Sequence, residues 1–219
     1  MLEQSWLAQL KQQRAIAVIR ATHSPLGHQM AKAVAAGGMH WIEITWNSEG
    51  AAELIAQLRY ELPACTIGTG SLLTTSQVQQ AIAAGAQFLF TPHCDLALIH
   101  TALDSQVPII PGALSPTEIV TAWQAGATSI KVFPVQAMGG ASYIQSLQGP
   151  LGHIPLIPTG GVTLENAASF LAAGAIGVGL SSNLFPKRAL DSQNWSLITE
   201  LAQTLMQSLQ PMVNPGAHR

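Results

Sequence analysis

A four-residue signature recurs along the chain and limits its fold more than any other feature: AAGG at 35–38, AAGA at 83–86, QAGA at 124–127 and AAGA at 172–175. The third residues, Gly37, Gly85, Gly126 and Gly174, are 48, 41 and 48 positions apart. Upstream of each lies a stretch with apolar residues at i, i+3 and i+4, such as Val78, Ala81 and Ile82. Downstream comes a short apolar run: HWIEIT, QFLFT, SIKVF and IGVGL. A helix stopped by glycine at its C′ position and followed by a strand explains the signature. Self-similarity at this period means that one supersecondary unit is used repeatedly, each copy burying its apolar face against the next.

Four further strands fall between these, at 15–20, 64–69, 107–111 and 154–159. Helical patterns are predicted at 25–36, 50–60, 75–84, 95–105, 116–125, 141–148, 163–173 and 195–209. Ser115-Pro116-Thr117-Glu118 reads as N-cap, proline at N1 and glutamate at N3, a capping box. Eight strands each followed by a helix fit a closed (β/α)8 TIM barrel in a single domain over residues 1–219. A doubly wound open sheet gives the same alternation; the repeat favours the barrel.

Composition narrows the function classes. Of 219 residues 48% are hydrophobic and only 9% charged, with a net charge of −2, which excludes disorder, a coiled coil and a nucleic-acid binder working through a basic surface. Cys65 and Cys94 form no CxxC pair, so reduced thiols in a cytoplasmic protein are expected. The start, MLEQSW, puts Glu3 where a signal peptide wants positive charge, and no apolar core follows it. Residues 166–186 carry no charge, but Gly174, Gly177 and Gly179 interrupt them, so a glycine-ended helix and a buried strand are expected there, not a membrane span.

In a barrel of this kind the reacting groups sit at the C-terminal ends of the strands. The charged residues inside the predicted strands are Arg20, Glu43 and Lys131. Alternation turns Ile42, Ile44, Ile130 and Val132 toward the helices, which leaves Glu43, Thr45, Lys131 and Phe133 pointing inward. Two readings of the Lys131–Glu43 pair stand side by side. It can be a structural ion pair, although desolvation offsets much of the attraction in a buried one. Alternatively, desolvation disfavours the charged amine, which can then attack a carbonyl while the carboxylate moves protons. Glycine-rich turns follow strands seven and eight, at Thr159-Gly160-Gly161 and Gly179-Leu180-Ser181-Ser182, where such folds commonly hold phosphate. His23, His28, His40, His93, His100, His153 and His218 show no metal-ligand spacing, and no metal site is expected. His93 follows strand four and is placed near the mouth without a role, and Trp41 and Phe133 read first as packing residues.

Taken in order, IEIT at 42–45, GTGS at 68–71, TPH at 91–93, PGALSPTE at 111–118, IKVFP at 130–134 and PTGGV at 158–162 resemble the 2-keto-3-deoxy-6-phosphogluconate (KDPG) and 4-hydroxy-2-oxoglutarate (KHG) aldolase family. The likeness runs from about 16 to 184. It implies a class I aldolase without metal or other cofactor, usually a homotrimer, acting on a small 2-oxo acid with no nucleic-acid or membrane partner. It makes Lys131 the Schiff-base lysine and Glu43 the catalytic acid–base. It places Arg20, Ser71, Pro92, Phe133, Thr159, Gly160, Gly161 and Ser182 at the substrate. The chain departs from the pattern at three places. Asn47 stands where some members have the carboxylate-binding arginine, while V-I-R-A at 18–21 matches a subgroup that carries it on strand one, so Arg20 can serve either anion. Gln136 replaces a common glutamate, and Ser181 replaces the glycine usual before the phosphate-contacting serine.

These features lead to a lyase that splits a 2-oxo-4-hydroxy acid into pyruvate and an aldehyde. A phosphosugar isomerase or epimerase would want paired aspartates or a His–Asp metal site at the strand ends, which the sequence lacks. A metabolite-binding protein descended from the aldolase would not need Lys131 and Glu43. The preferred aldehyde partner and its C4 configuration are left open by these residues.

Overall fold

The structure, a computed structural model, describes residues 2–210, with side chains from Trp6 onward. Residues 211–219, including His218, lie outside the described residues, as do Met1 and the Glu3 side chain. The strands are β1 Ala15–Ile19, β2 Trp41–Thr45, β3 Thr66–Gly70, β4 Leu89–Phe90, β5 Ile109–Ile110, β6 Gly112–Ala113, β7 Ile130–Val132, β8 Leu156–Pro158 and β9 Val178–Leu180. The helices are α1 Leu2–Gln13, α2 Ser24–Ala36, α3 Ala51–Glu61, α4 Thr75–Ala83, α5 Leu96–Asp104, α6 Pro116–Gln124, α7 Ala141–Leu151, α8 Ala167–Ala172, α9 Lys187–Asp191 and α10 Trp195–Ser208. A 3-10 turn, Val135–Met138, follows β7.

All strand pairs are parallel, in an α/β fold with a curled sheet in two parts: β5-β4-β3-β2-β1-β9 and β6-β7-β8. This differs from the eight unbroken strands expected. The fifth predicted strand, 107–111, shortens to β5, and its last residue, Pro111, which has no N–H to give to a ladder, separates it from a further short strand, β6. Hydrogen bonds still run between the parts. Thr128 N donates to Ile109 O at 3.0 Å and Lys131 N to Pro111 O at 2.9 Å, and a parallel bridge joins Thr159 to Gly179.

Three predicted helix features change on inspection. In the first repeat the left-handed residue is Gly38 (φ 89°), not Gly37 (φ −82°), whereas Gly85, Gly126 and Gly174 are left-handed as expected (φ 90°, 94° and 101°). Gly37 answers to packing, since a Cβ there would lie 2.5 Å from Ala202 Cβ on α10. The helix predicted at 163–173 starts only at Ala167, because Thr163 and Asn166 bond each other's backbone N–H through their side chains and hold a turn instead. Helices α1 and α9 were not expected. The Ser115–Glu118 capping box is present.

Two apolar layers hold the sheet. Ile42, Ile44, Ile130 and Val132 are fully buried between strands and helices, as alternation requires. On the opposite face Ile16, Trp41, Phe88, Phe90, Ile110 and Ile157 form a second cluster, and α1 lays Trp6 and Leu10, spaced i and i+4, against it. Trp41 stacks on Phe88 (centroids 5.5 Å apart) and meets Trp6 edge-on at 4.9 Å. This aromatic floor lies in the same inward-facing rows as Glu43 and Lys131, and Gly68 keeps it close: a Cβ there would overlap the Phe88 ring at 2.5 Å. No described helix is long and apolar enough to cross a membrane. Trp41→Ala is expected to lower stability by about 3–5 kcal/mol in equilibrium urea unfolding, as for deletion of a large aromatic from a core.

Candidate active site

One cavity of about 430 Å³ opens at the C-terminal ends of the strands, lined by Arg20, Glu43, Ser71, Pro92, Lys131, Phe133, Thr159, Gly160, Gly161 and Ser182, together with Val18, Thr45, Val162, Gly179 and Ser181. All ten residues singled out from the sequence therefore meet in one space. Thr45 was already assigned an inward face by alternation, and Val18 and Gly179 obey the same period on β1 and β9. A second hollow of about 730 Å³ lies alongside, between the start of α2 and the α9–α10 region, and shares Ser182 with the first.

Lys131 is 7% exposed, and its Nζ lies 5.0 Å from the Phe133 ring centroid and 5.5 Å from that of Phe90. The salt bridges found among the described residues do not include it. The Lys131–Glu43 pair is thus not a closed ion pair: the amine lies over two aromatic rings and is not capped by a carboxylate. Phe133, read first as packing, is 37% exposed and forms part of the cavity wall.

Glu43 is 1% exposed, and neither carboxylate oxygen has a hydrogen-bond partner among the described residues. Burial pushes its pKa up, and the positive charges of Lys131 and Arg20 offset part of that rise. The space for this carboxylate is made by Gly70, where a Cβ would come within 1.8 Å of Glu43 Oε1. Gly70 lies within the GTGS motif at 68–71, and its place as a small residue on the strand beside the inward acid is the signal in the sequence for this close approach.

The other groups are set by the strand ends. Ser71 follows Gly70 with φ 63°, a left-handed conformation that is strained for a residue with a Cβ, at a cost of roughly 1–3 kcal/mol. Arg20 follows β1 and is exposed. The backbone beside it is pinned by Ser48, whose Oγ accepts from Ala21 N at 3.1 Å and lies 3.2 Å from Thr45 Oγ1. Pro92 approaches Gly112 so closely that a Cβ there would sit 2.4 Å from the Pro92 carbonyl. Thr159 is 5% exposed, and its Oγ1 has no partner among the described residues. Gly160 and Gly161 are both left-handed (φ 80° and 94°), and their carbonyls are occupied by Gln136 N and Asn166 Nδ2. His93 does not line the cavity; it is half exposed, 3.9 Å from Asp95. Among the described residues no three His, Cys, Asp or Glu side chains gather as a metal site, and Cys65 and Cys94 are free thiols.

The sequence and the fold have clear relatives. The profile of the KDPG and KHG aldolases matches residues 7–201. A 2-dehydro-3-deoxy-phosphogluconate aldolase of Dickeya dadantii (strain 3937) is 36% identical over 80% of this chain and 82% of its own length. A KHG/KDPG aldolase of Escherichia coli (strain K12) is 33% identical over 80% and 82%. Among solved structures, KDPG aldolase from Legionella pneumophila, with pyruvate captured at low pH as a covalent carbinolamine intermediate, superposes with a TM-score of 0.84 at 30% identity and covers 91% of this chain and 97% of that one. The chain is therefore an aldolase by fold and sequence. Within that class it belongs to the KDPG and KHG aldolase family.

Burial of Glu43 makes a stability prediction whose sign follows from linkage. Its folded-state pKa lies above the ordinary 4.5, so the fold favours the protonated form, and stability is lost as pH rises from 4.5 until Glu43 ionises in the folded chain. Glu43→Gln removes that loss. Thermal unfolding between pH 4 and 8 should show the two proteins converging at the acid end, with the variant increasingly the more stable as pH rises.

Proposed function

We propose that this chain is a class I aldolase, a single-domain (β/α)8 barrel that cleaves KDPG to pyruvate and glyceraldehyde 3-phosphate and also KHG to pyruvate and glyoxylate. The observation that carries the reading is the buried Lys131 amine, with no salt bridge among the described residues, in one cavity with a Glu43 carboxylate that has no hydrogen-bond partner among them. The hydrogen bonds at Pro111 and the Thr159–Gly179 bridge support treating the two sheet segments as one closed barrel. The relatives, themselves named as KDPG and KHG aldolases, support the reaction.

In this reading Lys131 Nζ attacks the C2 carbonyl to give a carbinolamine, and loss of water leaves a protonated imine that accepts the electrons of the breaking bond. Glu43, through a water, takes the proton of the C4 hydroxyl, the C3–C4 bond breaks, and the aldehyde leaves an enamine behind. Protonation at C3 and hydrolysis of the imine release pyruvate and restore the lysine. A carboxylate whose pKa is raised by burial is a better match to proton transfer near neutral pH than an exposed one. No cofactor is needed, since the imine provides the electron sink. Phe133 and Pro92 wall the reacting carbons, and Ser71 sits where a pyruvyl carboxylate would lie. The turn amides at Gly160 and Gly161, the Thr159 hydroxyl and Ser182 face the distal end of the substrate. A homotrimer in the cytoplasm, with no nucleic-acid or membrane partner, is proposed from the family resemblance and composition.

Borohydride reduction in the presence of pyruvate should add the mass of a reduced pyruvate imine to Lys131, read by peptide mass spectrometry; labelling at Lys11, Lys32 or Lys187 instead would sink the assignment. Lys131→Arg should abolish turnover, because a guanidinium stays protonated and cannot act as the nucleophile.

The two anion poles should separate kinetically. Ser182→Ala is expected to lower kcat/KM for KDPG relative to KHG by roughly 10- to 150-fold, the worth of one hydrogen bond to a charged group. Arg20→Ala should impair both substrates if Arg20 holds the pyruvyl carboxylate. An effect confined to KDPG would assign it to the phosphate, in keeping with β1 lying next to β9 in the sheet.

A further inference from the structure

We propose that Ser181 is a specificity-determining residue: its hydroxyl is an added donor, beside Ser182, to the phosphate of a phosphorylated 2-oxo-4-hydroxy acid. The inference rests on the aldolase reading above.

Ser181 follows the last residue of β9 and lines the cavity. Val178 and Leu180 are buried in the layer between sheet and helices, so Gly179 faces the cavity, and the next residue on that face is Ser181, which also lines it. Gly179 cannot carry a side chain, because a Cβ there would lie 2.5 Å from Thr159 Cγ2. The first side chain that this strand can offer to the cavity is therefore that of Ser181.

The residue is held while its hydroxyl is not. Its carbonyl accepts from Leu184 N at 2.9 Å and Phe185 N at 3.2 Å, which fixes the backbone of the turn. No hydrogen bond to the Ser181 or Ser182 hydroxyl is found among the described residues, and both residues are exposed to the cavity mouth. Ser181 is not left-handed, so its backbone makes no demand for glycine.

Its neighbours are the phosphate-side groups. The Thr159–Gly179 bridge puts β9 beside the turn after β8 that carries Gly160 and Gly161, and pairing of Ile16 with Gly179 puts β1, which Arg20 follows, on its other side. Ser71 follows β3, three strands round from β9, beyond β1 and β2. A phosphate offers three strong acceptor oxygens, enough for two adjacent hydroxyls and backbone amides at once. KHG ends in a carboxylate bonded directly to C4 and does not extend as far, so the added hydroxyl favours the longer, phosphorylated substrate.

The test is Ser181→Ala and Ser181→Gly, with Ser181→Thr to keep a hydroxyl. Steady-state kinetics should be measured on KDPG and KHG, with inorganic phosphate as an inhibitor of KHG cleavage. Both truncations are expected to lower the KDPG-to-KHG ratio of kcat/KM by about 10-fold or more and to raise the inhibition constant of phosphate, with the threonine variant restoring both. A ratio within about twofold of the parent in Ser181→Ala, while Ser182→Ala shifts it strongly, would overturn the proposal and leave Ser181 a turn residue. If neither serine shifted the ratio although pyruvate was still trapped on Lys131, the phosphate pole itself would be misplaced. Failure to trap pyruvate would remove the aldolase reading on which the proposal stands.

Discussion

Burying a carboxylate without a hydrogen-bond donor costs several kcal/mol, and Glu43 sits in that condition with both oxygens unpartnered among the described residues. The surroundings are arranged around this cost. Gly70 gives up its side chain to make room, and Lys131 and Arg20 supply positive potential without a contact that would close the charge off. Ser71, next to Gly70, accepts a left-handed backbone. A packed salt bridge would have neutralised the same two side chains as structure. Leaving the pair open keeps an amine and a proton acceptor facing one cavity.

Below this polar level the sheet interior is aromatic and tight. Trp41, Phe88 and Phe90 occupy the inward rows beneath Glu43 and Lys131, and α1 adds Trp6 and Leu10. Desolvation by burial is what raises the Glu43 pKa. Glycines serve the opposite purpose. Gly68, Gly70, Gly112 and Gly179 each sit where a Cβ would overlap a neighbour, and each lets a strand or ring approach the cavity more closely than any other residue would.

Around the mouth the strand order groups the candidate anion-binding residues. The ends of β8, β9 and β1 carry Thr159 to Gly161, Ser181 with Ser182, and Arg20, while Ser71 and Pro92 follow β3 and β4 across the opening. This separation suits a substrate with charge at both ends and its reactive carbons between them. The neighbouring hollow of about 730 Å³ meets the cavity only at Ser182, on the β9 side.

Much of this was legible in the order of residues. Alternation along HWIEIT and SIKVF turned Glu43 and Lys131 to the same interior, because a strand's side-chain period is set by its backbone and not by its neighbours. The glycine-ended repeat gave the helix–strand alternation for the same local reason, as did the Ser115–Glu118 capping box. What needed the tertiary structure were the distances between strands far apart in the chain. The sequence could not separate a closed Lys131–Glu43 ion pair from an open one, nor show that Gly70 is the residue that seats the carboxylate. It could not show that Pro111 separates β5 from β6 while hydrogen bonds still pass around it, or that Gly37 is kept small by Ala202 on α10. Local propensity and period are properties of neighbours in sequence; burial, electrostatic offset and close approach depend on which segments the fold brings together.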